Sequence, residues 1–272
     1  MRGAAWLVWH SLKRSRTLVL VTGFLLAAFQ LVLIFAAGEI QGTNGFGQLA
    51  ALMPPLLREL LGPAIASFLS FSGIVSLGYF HLTVIGALTA VAVTLGTIPA
   101  GEVESGFSDF ILSRPVARHW IITRAIVVTV FCCALVLALM VAGTWSGLHT
   151  FGRRDVAWPS AAMIGSMAAN LYMLALCWGG VGLAISAPAR RRSVAGGTTG
   201  LLALGTYLLD YIGRLWQPAE KLAWISPFRY YNPFELMMGN PLPPKNLIVL
   251  GSVAVAGFIA AYILYARRDI SH

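Results

Sequence analysis

The chain has 272 residues, of which 58% are hydrophobic and only 11% charged. Soluble globular domains are about a quarter charged, so this composition excludes an ordinary soluble domain. The net charge of +9 sits mostly at the ends of long uncharged runs, where topology signals lie in membrane proteins, and no nucleic-acid partner is expected.

A membrane-spanning helix needs about 20 mostly apolar residues, and the sequence divides into six such stretches. Residues 1–16 form a basic amphipathic lead, with Trp6, Leu7 and Trp9 suited to the headgroup layer and Lys13, Arg14 and Arg16 to lipid phosphates. It reads as an interfacial helix. The first span is about 17–37. Its apolar run is too long for a cleavable signal, so it is expected to be retained. Residues 38–70, broken by Pro54-Pro55, read as a membrane-hugging connection. The second span is about 72–98 and the third about 119–144, with Arg124 snorkelling near its end. A polar loop with His149, Arg153, Arg154 and Asp155 follows. The fourth span is about 161–186, the glycine-rich fifth about 193–212, and the sixth about 247–266. The expected fold is an all-α polytopic membrane protein with one transmembrane domain over residues 1–272.

Counting bases assigns the sides. Six spans with the N-terminus inside leave 12 bases in roughly 50 inner residues and seven in roughly 85 outer ones, about a threefold density bias in the sense of the positive-inside rule. Folding 60–101 into a hairpin gives seven spans and evens the count to ten and nine. Six spans with both termini cytoplasmic are therefore expected.

The chain's most unusual stretch is Gly101–Arg118, GEVESGFSDFILSRPVAR. It is a polar island between an uncharged run from Leu60 to Gly101 and another from Ala125 to Gly152. Val103, Phe107, Phe110 and Ile111 recur at helical spacing. This predicts a short amphipathic helix on the inner membrane surface, stopped by Pro115 and followed by a basic turn with Arg114 and Arg118. A cytoplasmic linker whose bases meet lipid headgroups would show the same pattern.

Other residues stand out singly. His81 falls inside the second span, where an ionisable group is a functional candidate by default. Asp210, near the outer end of span five, is a second candidate for a translocation path, or else a water-exposed group facing Arg214. Gln30 and Asn170 read as interhelical glue. Gly196, Gly197, Gly200 and Gly205 give span five a small-residue surface, for packing within one subunit or against another. Trp216, Trp224, Tyr230 and Tyr231 read as an interfacial belt. Ser146, His149 and Asp155 share one outer loop without the features of a nucleophile elbow, and no catalytic residue is assigned. Cys132, Cys133 and Cys177 lie in apolar runs without CxxC spacing and read as core residues; no metal site is expected.

The island GEVESGFSDFILSRPVARHWIITRAIV resembles the segment between spans two and three of the permeases of export-type ATP-binding-cassette transporters. That pattern runs E-x-E-x-G-T, then L-L-S-x-P-V-S-R, then a span. Glu102, Glu104 and Gly106 match its first part, and Leu112, Ser113, Pro115, Val116 and Arg118 its second; Phe107 and Ala117 depart from it. The amphipathic lead, Leu52-Met53-Pro54-Pro55, the run Ser226-Pro227-Phe228-Arg229-Tyr230-Tyr231-Asn232-Pro233 and the closing Arg267-Arg268-Asp269 are similar to that family too. The resemblance implies a permease that forms the path while a separate cytoplasmic P-loop ATPase supplies the work. A second permease copy or a paralogue would complete the assembly. It also implies that the helix at 102–113 docks on the ATPase. Glu102 and Glu104 would offer carboxylates to the ATPase or to basic residues nearby, and Phe107, Phe110, Arg114 and Arg118 would complete the coupling surface.

The residues agree on one point. A Walker A loop needs Gly-Lys to cradle phosphates, and none of Lys13, Lys221 and Lys245 follows a glycine. ATP and Mg2+ are therefore expected on the partner chain, with no cofactor bound here. Two other readings compete. An ion- or proton-driven transporter would use His81 as a relay. A membrane assembly subunit without transport activity would need neither. The greasy spans favour amphipathic or apolar cargo such as a drug, lipid or peptide.

Overall fold

The computed structural model describes residues 2–43, 45, 70–107, 117–153 and 155–268. Among them every regular element is helical. The longer ones are α1 (Arg2–Gly42), α2 (Phe71–Phe80), α3 (Leu82–Gly96), α4 (Ile98–Glu104), α5 (His119–Phe151), α6 (Ala161–Ser186) and α7 (Arg192–Gly213). Then come short α8 (Gln217–Ala223), a 3-10 turn at Pro227–Tyr230, short α9 (Pro233–Met237) and α10 (Pro244–Ala266). Five stretches are long and apolar enough to cross a membrane: Trp6–Gly42, Phe71–Gly96, α5, α6 and α10. The chain is an integral, multi-pass membrane protein.

The lead and the first span are one helix. The expected interfacial helix at 1–16 is not a separate element, because α1 runs for 41 residues without interruption. At 1.5 Å per residue this is about 60 Å, twice the roughly 30 Å of a bilayer's hydrocarbon core. The cause is a continuous stripe of buried residues. Leu7, Ser11, Val19, Leu26, Gln30, Ile34 and Ala37 all face the bundle, at the three- and four-residue spacing of one helix face. Trp6 and Trp9 lie outside it and are exposed.

The second span is interrupted where the sequence suggested continuity. His81 ends α2 and caps α3, with extended backbone (φ −64°, ψ 133°). Its Nδ1 accepts from the Thr83 N–H at 3.3 Å. A break at membrane depth is tolerated only where protein satisfies the freed backbone groups. Here the Tyr231 hydroxyl donates to the freed Tyr79 carbonyl at 2.7 Å, and the Tyr79 hydroxyl shares a 2.9 Å hydrogen bond with the Thr144 hydroxyl. Tyr231 is therefore a core residue, whereas Trp216 and Trp224 are exposed.

The remaining bounds vary in agreement. The fourth span coincides with α6, which starts behind Ser160, whose hydroxyl accepts from the Met163 N–H. α5 continues seven residues past the expected end at 144, so His149 sits in its last turn rather than in a loop. Its ring lies tilted to Trp145 and edge-on to Trp158, while Asp155 pairs with Arg153; Ser146, His149 and Asp155 do not assemble as a triad. α10 opens at Pro244, where a missing N–H costs nothing. The three cysteines are buried thiols. Gln30 and Asn170 do not act as hydrogen-bonded glue, since among the described residues their buried amides have no partner.

Close approach of backbones holds the bundle together. A Cβ on Gly257 of α10 would meet the Gly180 carbonyl carbon of α6 at 2.5 Å, and one on Gly180 would meet the Ala254 oxygen at 2.6 Å. Small residues let membrane helices approach this closely. Gly251, on the same helix, has open space at its Cβ. Gly257→Val should therefore force α6 and α10 apart at about 1–3 kcal/mol and lower the melting temperature in detergent. Gly251→Val should melt like the parent. Equal melting of the two variants would refute this packing.

Candidate functional site

One end of the bundle gathers the ends of six elements: the first turns of α1, α4, the start of α5, the end of α6, the start of α7 and the end of α10. Much of the polar island lies here. α4 begins inside the expected second span, at Ile98, with Pro99 in its first turn. The Ala100 N–H donates to the Ser186 hydroxyl at 2.9 Å, fastening α4 to the end of α6.

Glu102 and Arg124 form an ion pair through Oε2 and Nη2. Both side chains are almost fully buried, at 4% and 2% exposure. Arg124 therefore does not snorkel. It turns into the bundle toward the only acid in reach on α4. Burial pushes the Glu102 carboxyl above the ordinary carboxylate range; the Arg124 charge and hydrogen bond oppose that shift, with smaller help from Arg14 and His10. Removing one partner of a buried pair costs about 3–5 kcal/mol, because the other charge is left uncompensated.

Glu104 has a different partner. Its Oε2 accepts from the Arg192 backbone N–H at 2.8 Å, so it caps the first turn of α7. A carboxylate at a helix N-terminus satisfies an orphan donor and complements the helix dipole. The Arg192 side chain donates to the Thr94 carbonyl on α3 at 2.9 Å. Of the two destinations expected for these carboxylates, the structure fills the one inside the chain.

The expected helix over 102–113 is not continuous. α4 ends at Glu104, and Gly106 has φ +71°, in the left-handed region that glycine adopts without strain. Phe107 then turns back to pack on a cluster of Leu7, Ile121, Ile122, Ala125, Leu183 and Tyr265. Phe110, Arg114 and the expected stop at Pro115 lie outside the described residues. Arg118 is exposed and donates to the Arg268 carbonyl at 3.5 Å, while Arg268 donates to the Ala187 and Ala189 carbonyls, each at 3.0 Å. These bonds tie the C-terminal end of α10 to the end of α6.

The two path candidates sit at the opposite end. His81 serves as a cap, half-buried against Phe29. Asp210 is buried, not water-exposed. It does face Arg214, whose Nη2 and Nε lie 2.8 and 3.1 Å from Oδ2. Between the two ends α7 runs antiparallel beside α3, enclosing a groove of about 790 Å³. Its walls are Ile85, Ala90 and Val93 on one side and Gly196, Gly200 and Leu204 on the other. Four of the five α7 glycines, 196, 197, 200 and 205, have no atom within 4 Å of where a Cβ would lie. Among the described residues no group of three His, Cys, Asp or Glu side chains is arranged for a metal.

Comparisons with models of known families, with curated proteins and with solved structures find no match to this chain.

The cap on α7 has a measurable signature. Glu104→Ala should cost about 1 kcal/mol, the usual value of a side-chain cap, and speed amide exchange at residues 192–195. Unchanged exchange there would show that Glu104 does not hold this turn.

Proposed function

We propose that this chain is the permease subunit of an ATP-driven exporter, coupled to a separate cytoplasmic P-loop ATPase. The observation that carries the reading is how the island is rooted. Glu102 binds α4 to α5, Glu104 binds it to α7, and Phe107 packs on the inner ends of α5 and α6. A push on Phe107–Arg118 is thereby delivered to three long helices at once. That is the mechanical requirement of a coupling segment whose ATPase is another chain.

In this reading the chain crosses the membrane six times. α7 makes the fifth crossing in this reading: its 22 residues extend about 33 Å, and it runs antiparallel to α3. Both termini and the island then share the cytoplasmic side, as the base count favours. α7 meets a second permease copy or a paralogue through its surface outside the groove, and the apolar groove, walled in part by Gly196 and Gly200, contributes to the path. Its lining suits amphipathic or apolar cargo. Glu102 and Glu104 act within the chain. Docking falls to Phe107, Phe110, Arg114 and Arg118, with ATP and Mg2+ on the ATPase.

Affinity purification from native membranes tests this. A P-loop ATPase should co-purify with the parent chain, and Arg118→Glu should weaken its retention severalfold without lowering the yield of folded permease. Recovery of the folded chain without any P-loop ATPase would contradict the proposal.

A further inference from the structure

A smaller cavity of about 220 Å³ lies beside the α3–α7 groove, between α1, the end of α3, α4 and the start of α7. Its polar lining is Ser11, Arg14, Ser15, Thr94, Glu102 and Arg192. Ser11, Arg14 and Ser15 fall at i, i+3 and i+4 and so share one face of α1.

The charges here do not cancel. Glu102 is committed to Arg124, and Glu104 to the α7 backbone. Among the described residues, three guanidiniums, Arg14, Arg124 and Arg192, thus stand against two carboxylates. Arg14 makes no hydrogen bond among the described residues. Burial, and then the nearby Arg14 charge, pull the Arg192 guanidinium below its ordinary value. Two like charges beside one cavity with hydroxyls on its wall form an arrangement that an anion relieves, and guanidinium pairs with phosphate in particular.

The cavity also adjoins an apolar space. Thr94 and Arg192 line both it and the α3–α7 groove. From Thr94 to Leu82 the groove follows α3 for about 18 Å, close to the roughly 15 Å hydrocarbon depth of one leaflet. Basic pockets between membrane helices are recognised headgroup sites.

We propose that the small cavity holds the headgroup of an anionic phospholipid. Its phosphate lies between Arg14 and Arg192, and one acyl chain lies in the groove between α3 and α7. Such a lipid bridges α1 to α7. The site does not depend on the transport reading, because a chain that moves no cargo would bind it equally.

Native mass spectrometry of the detergent-solubilised full chain tests this, with phosphatidylglycerol, phosphatidylcholine and glycerol 1-phosphate as probes. Phosphatidylglycerol should be retained over phosphatidylcholine. Arg14→Gln should reduce its retention by about tenfold, the loss of one charge-assisted hydrogen bond. Arg16→Gln, a neighbouring base that does not line the cavity, should leave it unchanged. Arg192→Gln should act like Arg14→Gln; Arg192 also ties α7 to α3, so Arg14→Gln carries the test if that variant misfolds. Equal losses in Arg14→Gln and Arg16→Gln would overturn the proposal, as would equal retention of the two lipids. Displacement of phosphatidylglycerol by glycerol 1-phosphate at matched concentration would also overturn it, by showing an anion site that takes no acyl chain.

Discussion

The buried pair of Glu102 and Arg124 is the constraint around which the island end of the bundle is organised. Two ions taken out of water cost several kcal/mol each, and only close mutual contact offsets this. Both side chains are almost fully buried, so α4 cannot swing away from α5 without stranding a charge. That fixed position brings Glu104 to the first turn of α7 and Ala100 to the Ser186 hydroxyl. The left-handed turn at Gly106 then returns Phe107 to the same cluster. An exposed loop would transmit little; this one is joined to its helices by contacts that are costly to break.

The far end is closed by different chemistry. There the interruption at His81 frees the Tyr79 carbonyl, which accepts from the Tyr231 hydroxyl; the Tyr79 hydroxyl separately bonds the Thr144 hydroxyl. The ion pairs of this end, Asp210 with Arg214, Arg153 with Asp155 and Arg229 with Glu220, each keep at least one exposed partner. Between the ends, apolar contacts and glycine-mediated backbone approach hold α1, α3, α5, α6 and α10 together. Like α1 and α10, α7 carries an outward apolar face, with Val194, Leu201, Leu204 and Leu208 all exposed. A helix with such a face is built for something beyond its own chain, whether lipid, cargo or a second copy.

Much of this was legible in the sequence. Length and hydropathy located α6 residue for residue and the cores of α1, α5, α7 and α10 closely, because long apolar runs leave few alternatives. Arg214 was correctly named as the neighbour of Asp210, since four residues on a helix share a face. The misses are tertiary. Nothing local marks His81 as a break: no proline adjoins it, and the group that stabilises the break is Tyr231, 152 residues from the Tyr79 carbonyl it meets. Arg124 looked like a snorkelling base because hydropathy reports distance to a run's end and not which way a side chain turns. The glycine at 106 was visible, and its position two residues after Glu104 was the available sign that the island helix would stop there.

The central claim is that Glu102 and Arg124 act as one unit within the bundle and are not a surface offered to a partner. A double-mutant cycle on thermal stability in detergent, using Glu102→Gln, Arg124→Gln and the pair together, measures this most directly. The account predicts that each single variant is destabilised by about 3–5 kcal/mol. The double variant should regain a large part of that loss, because no charge remains stranded. Additive losses, or single variants as stable as the parent, would contradict it.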